Sequence, residues 1–542
     1  MRRRGIVVVL AGLALGCGAV AAEARPAGWA PAGGVREQVV SSPVVAGGYP
    51  GEAPAPGGCV AGPYDANKSE SALALRPGTE QLVGGAKAYF ERWSTFKAQH
   101  TVSFAFGPGG QASTHIVNGF DCVTAGTQAM PPSWTNVTDP NLAWDLEGRV
   151  HQIALPFNAY WGSVEQPNGD VVGIYSDDGG RTWQRGNGGA PIQPGPNPST
   201  QSSNYLDKPW VAVNQVAGHR WANHVYAVWV EFLEDGGSRI WSAVSRDRGL
   251  SWSAPTVVPT GLALDEANPW PFIAVGADGV LHLTFVDYDG ETATIWTMRS
   301  ADDGRSWQPR VRVGGTRVIR SCCLPGTHVH DGVVEFLAAS PERPGHLYVV
   351  WERYDGRQLD VQLVRSSDGG STWSAPMTVN DDGGVTDQFQ PEVAAGPGGA
   401  VAVAFYDKRG RCPHAESVRP EARGAANTCI GVSLQAFRDS GDDLARVGGN
   451  ARLSRALWDP EMPQQLRGGY PQVACEDAGA DCDDIFIGDY FQLAISRRNV
   501  SVLSTSTHYP SGVTADDGRP IYYQQQILHT ANRAALGLRP PG

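Results

Sequence analysis

Ser176-Asp-Asp-Gly-Gly-Arg-Thr-Trp183 is the stretch from which the rest of this chain can be read. It returns as Ser245-Arg-Asp-Arg-Gly-Leu-Ser-Trp252, Ser300-Ala-Asp-Asp-Gly-Arg-Ser-Trp307 and Ser366-Ser-Asp-Gly-Gly-Ser-Thr-Trp373. The shared pattern is Ser-x-Asp-x-Gly-x-[Ser/Thr]-Trp, and each fixed position has a physical task. Ser and Asp oxygens accept backbone N–H groups of a tight turn, and Gly takes a conformation closed to residues with a Cβ. The Trp ring then packs beneath the turn and locks a hairpin.

Working outward, each copy sits between strand-like runs. His224-Val-Tyr-Ala-Val-Trp-Val230 and Arg239-Ile-Trp-Ser-Ala-Val244 precede the second copy, and Ala254-Pro-Thr-Val-Val258 follows it. His346-Leu-Tyr-Val-Val-Trp351, Asp360-Val-Gln-Leu-Val364 and Ala375-Pro-Met-Thr-Val379 frame the fourth in the same way. Short apolar runs bounded by Gly and Asp predict strands. The four Trp residues are 69, 55 and 66 positions apart, longer than a ~40–45-residue WD40 unit but suited to a four-stranded blade with long loops. An apolar strand opens each unit, and Leu73, Leu142, Val211, Ile273, Leu337, Val393 and Leu493 are equivalent landmarks in these strands. Seven units follow. The sixth keeps a degenerate box, Arg438-Asp-Ser-Gly441, and the first and last have none.

Units of this kind are Asp-boxes, and on the four motifs the chain resembles the sialidase (BNR-repeat) superfamily of β-propellers. The resemblance implies an all-β propeller of four-stranded antiparallel blades. Sialidases usually close with six blades, so seven is a departure, with six as the alternative. It also implies that the box closes the turn between third and fourth strands, away from the active site. Asp178, Asp247, Asp302 and Asp368 are then structural, and function belongs to the opposite rim.

With 542 residues the chain exceeds the usual size of one core, a limit that radial repeats escape because each blade packs on its neighbours. The net charge of −12, with no basic stripe, argues against a nucleic-acid partner. Arg2-Arg3-Arg4, the apolar run from Gly5 to Leu15 and Ala19-Val-Ala21 read as a signal peptide over residues 1–22. That run is too short to be a permanent anchor, and no other transmembrane segment is expected. The protein is expected to be secreted or extracellular, with a lipoprotein anchored through Cys17 as the alternative. Residues 23–66 read as a Pro/Gly-rich flexible lead-in, 67–530 as the propeller and 531–542 as a C-terminal tail.

Eight cysteines remain after Cys17, an even number for an oxidising compartment. The expected pairs are Cys59–Cys122, Cys322–Cys323, Cys412–Cys429 and Cys475–Cys482. His328 and His330 beside Cys322 and Cys323 raise zinc as the competing reading, but there is no Cys-x-x-Cys spacing, and neither metal nor cofactor is expected.

On the rim, the loops entering each first strand offer Asp139, Asp207, Lys208 and Trp210, Glu266, Asn268 and Trp270, His328, His330 and Asp331, Asp387, then Asp489 and Tyr490. The loops after the second strands offer Glu91 and Arg92, Glu231, Asp287, Glu352 to Asp355, and Tyr406 to Arg409. Carboxyls, tyrosines and aromatic plates are the parts of sugar chemistry. Glu352, Asp407 and Tyr406 are the expected catalytic residues. Arg353, Arg409, Asp207, Asp489 and Trp210 are expected to bind substrate. The resemblance implies three arginines, an Asp acid/base and a Tyr–Glu pair, but the family's [Phe/Tyr]-Arg-Ile-Pro motif is absent here. The expectation is a monomeric glycoside hydrolase acting on a glycan or glycoconjugate, exo-sialidase-like. The alternative is a non-catalytic propeller that binds glycans or surface proteins.

Overall fold

The computed structural model describes residues 31–41, 67–89, 99–107, 109–117, 136–157, 169–195, 204–262, 269–319, 323–332, 335–462, 485–512, 517–520 and 522–539, with backbone pairing also at 49–50, 59–60, 264–265 and 474–475. Seven antiparallel blades, each four strands deep, form a β-propeller. Six lie in chain order within residues 68–116, 136–185, 205–257, 272–317, 335–378 and 388–452. The seventh takes Gln492–Ile495, Asn499–Ser506 and Gln525–Asn532 from the end of the chain, and its outermost strand, Arg36–Val39, from the beginning. Arg36 pairs with Thr530 and Val39 with Ile527, which closes the ring. Part of the stretch 23–66, expected to be a flexible lead-in, is therefore a blade strand. At the other end, Asn532 is still in its strand, and Arg533, Leu536 and Leu538 are buried beyond the expected boundary at 530.

Strand pairing bears out the landmark register. Leu73 pairs with Gly84, Val211 with Ala227, Ile273 with Leu283, Leu337 with Val349, Val393 with Val403 and Leu493 with Val502. One residue beyond each landmark the side chain is alanine in all seven blades: Ala74, Ala143, Ala212, Ala274, Ala338, Ala394 and Ala494. Blades converge at the propeller axis, and a methyl is what the narrowing space between inner strands admits.

Each box is built as its residue types require. The Asp178 carboxylate accepts from the Ser176 hydroxyl (2.8 Å), the Thr182 N–H (2.9 Å) and the Thr182 hydroxyl (2.7 Å). Asp247, Asp302 and Asp368 repeat these contacts. The box glycines Gly180, Gly249, Gly304 and Gly370 all have positive φ, between 78° and 92°. Trp183 reaches back to the first blade, its Nε1 donating to the Ser103 hydroxyl at 3.2 Å.

Two blade junctions share a further device. His224, Tyr226 and Arg246 of blade three converge on Asp303 of blade four at 2.8, 2.9 and 2.9 Å. His346, Tyr348 and Arg365 of blade five converge likewise on Asp439, in the degenerate box of blade six. Both aspartates are fully buried, so the pairs clamp adjacent blades away from water.

The Cys412–Cys429 disulfide is present, and Cys323 is disulfide-bonded as well. The other expected cysteine pairings, the signal peptide, Cys17, Glu91, Arg92, Glu266 and Asn268 lie outside the described residues. Among the described residues no helix is long and apolar enough to cross a membrane.

Candidate active site

Three residues before the landmark, six of the seven blades have a described residue at the inner-strand end opposite the boxes. These residues are Glu70, Asp139, Lys208, Trp270, Gln390 and Tyr490. Glu70, Asp139, Lys208 and Gln390 have φ of 53°, 56°, 53° and 44°, a left-handed conformation that costs non-glycine residues energy. In blades one, three and six the strand bulges at this point, between Ser69 and Ala72, Asp207 and Trp210, and Phe389 and Glu392. A bulge re-aims its side chain, so the same local strain turns polar groups from several blades inward.

The groups so gathered form one electrostatic network. The Lys208 ammonium lies 3.5 Å from Asp207 and 3.7 Å from Asp489, and 4.2 Å above the Trp270 ring. Lys87 pairs with Glu70 at 2.7 Å and stands over the Phe486 ring. His330 meets Asp489 at 3.4 Å, and Lys408 meets Asp387 at 3.5 Å. The Tyr490 hydroxyl donates to the Pro140 carbonyl at 2.7 Å, which fixes its ring at the edge of the well.

The carboxyls here are driven apart. Burial, reinforced by Asp139 and Asp489, lifts Glu70 to about 8 against the pull of Lys87. Burial lifts Asp207 to about 6 despite Lys208, and Asp331 to about 7 despite Glu352 and His330. Glu352 is pushed well up by burial and by the neighbouring Asp331. The other Glu352 contact is the Gln390 N–H, which donates to Oε1. Asp489 moves the opposite way: burial is outweighed by Lys208 and by the hydrogen bond from His330, which hold it ionised. Adjacent carboxyls kept in opposite protonation states are the equipment of acid/base chemistry.

The sequence-expected residues divide. Glu352, Asp207 and Asp489 join this network. Asp407 does not share the partners of Glu352: its carboxylate accepts from the Ser433 hydroxyl (2.7 Å) and the Arg409 N–H (3.0 Å) and pairs with the Arg409 guanidinium (2.7 Å). The reason is register. Glu352 stands three residues past Val349 and Asp407 four past the equivalent Val403, so the two side chains leave opposite faces of their sheets. Arg409 is committed to Asp407, Asp381 and Asn450. Tyr406 packs on Phe389, Phe491 and Trp458, and its hydroxyl accepts the Thr505 N–H at 3.0 Å. Burial pushes that phenol well above the usual tyrosine range. Trp210 is wedged edge-on between Phe272 and Tyr490 in the core, and Trp270, buried against the same two rings, lies beneath the Lys208 ammonium. Arg353 points away into a cleft between blades four and five.

Glu70 and Lys87 were not singled out from the sequence. Both have a register signal: Glu70 precedes Leu73 as Asp139 precedes Leu142 and Lys208 precedes Val211, and Lys87 occupies the position of Glu352 in the first blade. Among the described residues no group of His, Cys, Asp and Glu is arranged to hold a metal ion. A wide cavity of about 760 Å³ opens elsewhere, on the box face between blades one and seven. Its carboxylate, Glu80, is already taken by Ser496 and Asn499.

The BNR/Asp-box repeat family matches residues 174–185, the first box with its flanking strands. No curated protein matches the chain. Among solved structures it is similar to a protein of unknown function from Dyadobacter fermentans (13% identity, TM-score 0.41, covering 69% of this chain and 95% of that one). It is similar also to a Hadza microbial sialidase (14%, 0.39, 82% and 75%) and to an α-L-arabinofuranosidase of Fusarium graminearum (16%, 0.39, 75% and 97%).

Proposed function

We propose that this Asp-box β-propeller is a secreted, monomeric glycoside hydrolase working at the mouth of its central channel. The observation that carries the reading is the contrast among the buried carboxyls: Glu352 is pushed well up by burial and Asp331, while Asp489, between Lys208 and His330, is held low. Glu352 donates its proton to the glycosidic oxygen as the bond to the anomeric carbon breaks. Asp489 or Asp207 faces the positive charge that develops on the sugar ring, or takes the proton of the attacking water. Lys208 draws both carboxylates toward the charged form, outweighing burial at Asp489 but not at Asp207. Water adds across the cleaved bond, and Glu352 recovers its proton from solvent.

The test is a screen of the purified protein against aryl glycosides and polysaccharides, followed by Glu352→Gln on any substrate turned over. Loss of turnover with retained folding supports the assignment. Turnover unchanged in Glu352→Gln removes Glu352 from the chemistry. No turnover on any sugar, with sugars still bound, leaves a glycan-binding propeller.

A further inference from the structure

The loops of the same rim hold a second feature that the hydrolytic network does not use. A cleft of about 400 Å³ between blades four and five is lined by Arg312, Arg317 and Arg353, with Thr292, Thr294, Tyr354 and one carboxylate, Asp355. Its place follows from the strands. Thr292 opens the third strand of blade four, Arg317 closes the fourth, and Tyr354 closes the second strand of blade five. All three ends lie on the channel-mouth face.

We infer that this cleft binds the acidic groups, carboxylate or sulfate, of an extended glycan. The chain carries a net charge of −12, yet three guanidiniums are set together around one concavity of ligand size. Among the described lining residues, three guanidiniums face one carboxylate, Asp355, which leaves positive charge in excess. Arg353 is half exposed and reaches Asp360 only at 3.8 Å, and Arg317 donates to the Asp355 carbonyl at 3.4 Å. A guanidinium matches a planar carboxylate or a sulfate edge with two parallel N–H donors, which a lysine cannot do. Threonine hydroxyls and the Tyr354 ring add the sugar-facing part of such a site.

The cleft is tied to the channel mouth by one strand. Glu352 and Arg353 are consecutive in Leu347–Tyr354, so one turns toward blade six and the other toward blade four. Because the two side chains leave opposite faces of that strand, a glycan running from one to the other passes over the edge of blade five. That the ligand is a glycan rests on the hydrolase reading. That the cleft takes an anion does not.

Isothermal titration calorimetry on the full chain separates the two. The probes are oligogalacturonate for carboxylate, a carrageenan oligosaccharide for sulfate and a cello-oligosaccharide as the neutral control. At least one charged probe is expected to bind at least about tenfold tighter than the neutral one, more weakly as salt is raised, because exposed charges are screened. Arg312→Ala/Arg353→Ala should lose that advantage, and Arg312→Lys/Arg353→Lys should recover only part of it; circular dichroism and melting check that each variant is folded. Which charged probe binds decides between carboxylate and sulfate. Charged probes that bind no tighter than the neutral one, or equally well to the folded Ala/Ala variant, overturn the proposal. If the wild type turns over no sugar but binds a charged probe through these arginines, the hydrolase reading fails and the anion cleft stands.

Discussion

On the box face, Asp178, Asp247, Asp302 and Asp368 are met by hydroxyl and backbone donors that outweigh burial and hold each below the usual carboxylate range. At the channel mouth, Glu70, Asp207, Asp331 and Glu352 are buried beside other carboxyls and are lifted above it. The residue types are nearly the same, and the difference is what each blade places around them. A turn that closes on its own carboxylate stabilises the ionised form locally. A ring that gathers carboxyls from many blades sets them against one another. The first arrangement holds structure, and the second stores the capacity to give and take protons.

The sharpest way to break this comparison is to remove one member from each face. Glu352→Gln is expected to lower turnover by about 10²–10⁴-fold while leaving the melting temperature unchanged, since glutamine imitates the protonated acid. Asp303→Ala should do the reverse. It strands His224, Tyr226 and Arg246 at a blade junction, and breaking a buried pair costs about 3–5 kcal/mol, to be read from the denaturation midpoint.

Stability against pH should show both faces in one curve. Glu70, Asp207 and Asp331, at about 8, 6 and 7, bind protons in the folded state that the unfolded chain has already released. Their contribution is complete below the ordinary carboxyl range and is lost as pH rises from about 4 to 8. The box aspartates act with the opposite sign: their contribution is complete above that range and is lost as pH falls below about 4. Denaturation midpoints from pH 3 to 9 should therefore peak on the acid side of neutrality. Glu70→Gln should flatten the alkaline limb, and an unchanged limb would refute the role given to that face. The smallest effect belongs to Asp302→Ala. The carboxylate is largely exposed and its hydrogen bonds are local, so about 1 kcal/mol is expected by the same measurement.

What could be read in advance depended on how far apart the interacting residues lie. The boxes were legible because the hydrogen bonds that shape each turn, from Asp178 to Ser176 and Thr182 and their equivalents, are local. The blade count was legible because the inner strands repeat at similar spacing up to Val393, with only the last step, to Leu493, much longer. The well was half legible: its loops were named, but Glu70 and Lys87 were passed over, although both follow from the register already used for counting. Glu352 and Asp407 were paired by likeness of sequence, and strand alternation sends them to opposite sides. The closing strand Arg36-Glu-Gln-Val39 gave no sign, since it is short, polar and lies in a Pro- and Gly-rich stretch.

That strand carries a consequence for biosynthesis. Arg36 is made nearly 500 residues before Thr530, its partner. At about 5–20 residues per second, translation alone separates the two by roughly 25–100 s. Throughout that interval the nascent ring is open, and its unpaired edges are templates for pairing with other chains. Until the last blade emerges, the strand Arg36–Val39 has no blade to close, whatever the stability of the finished ring.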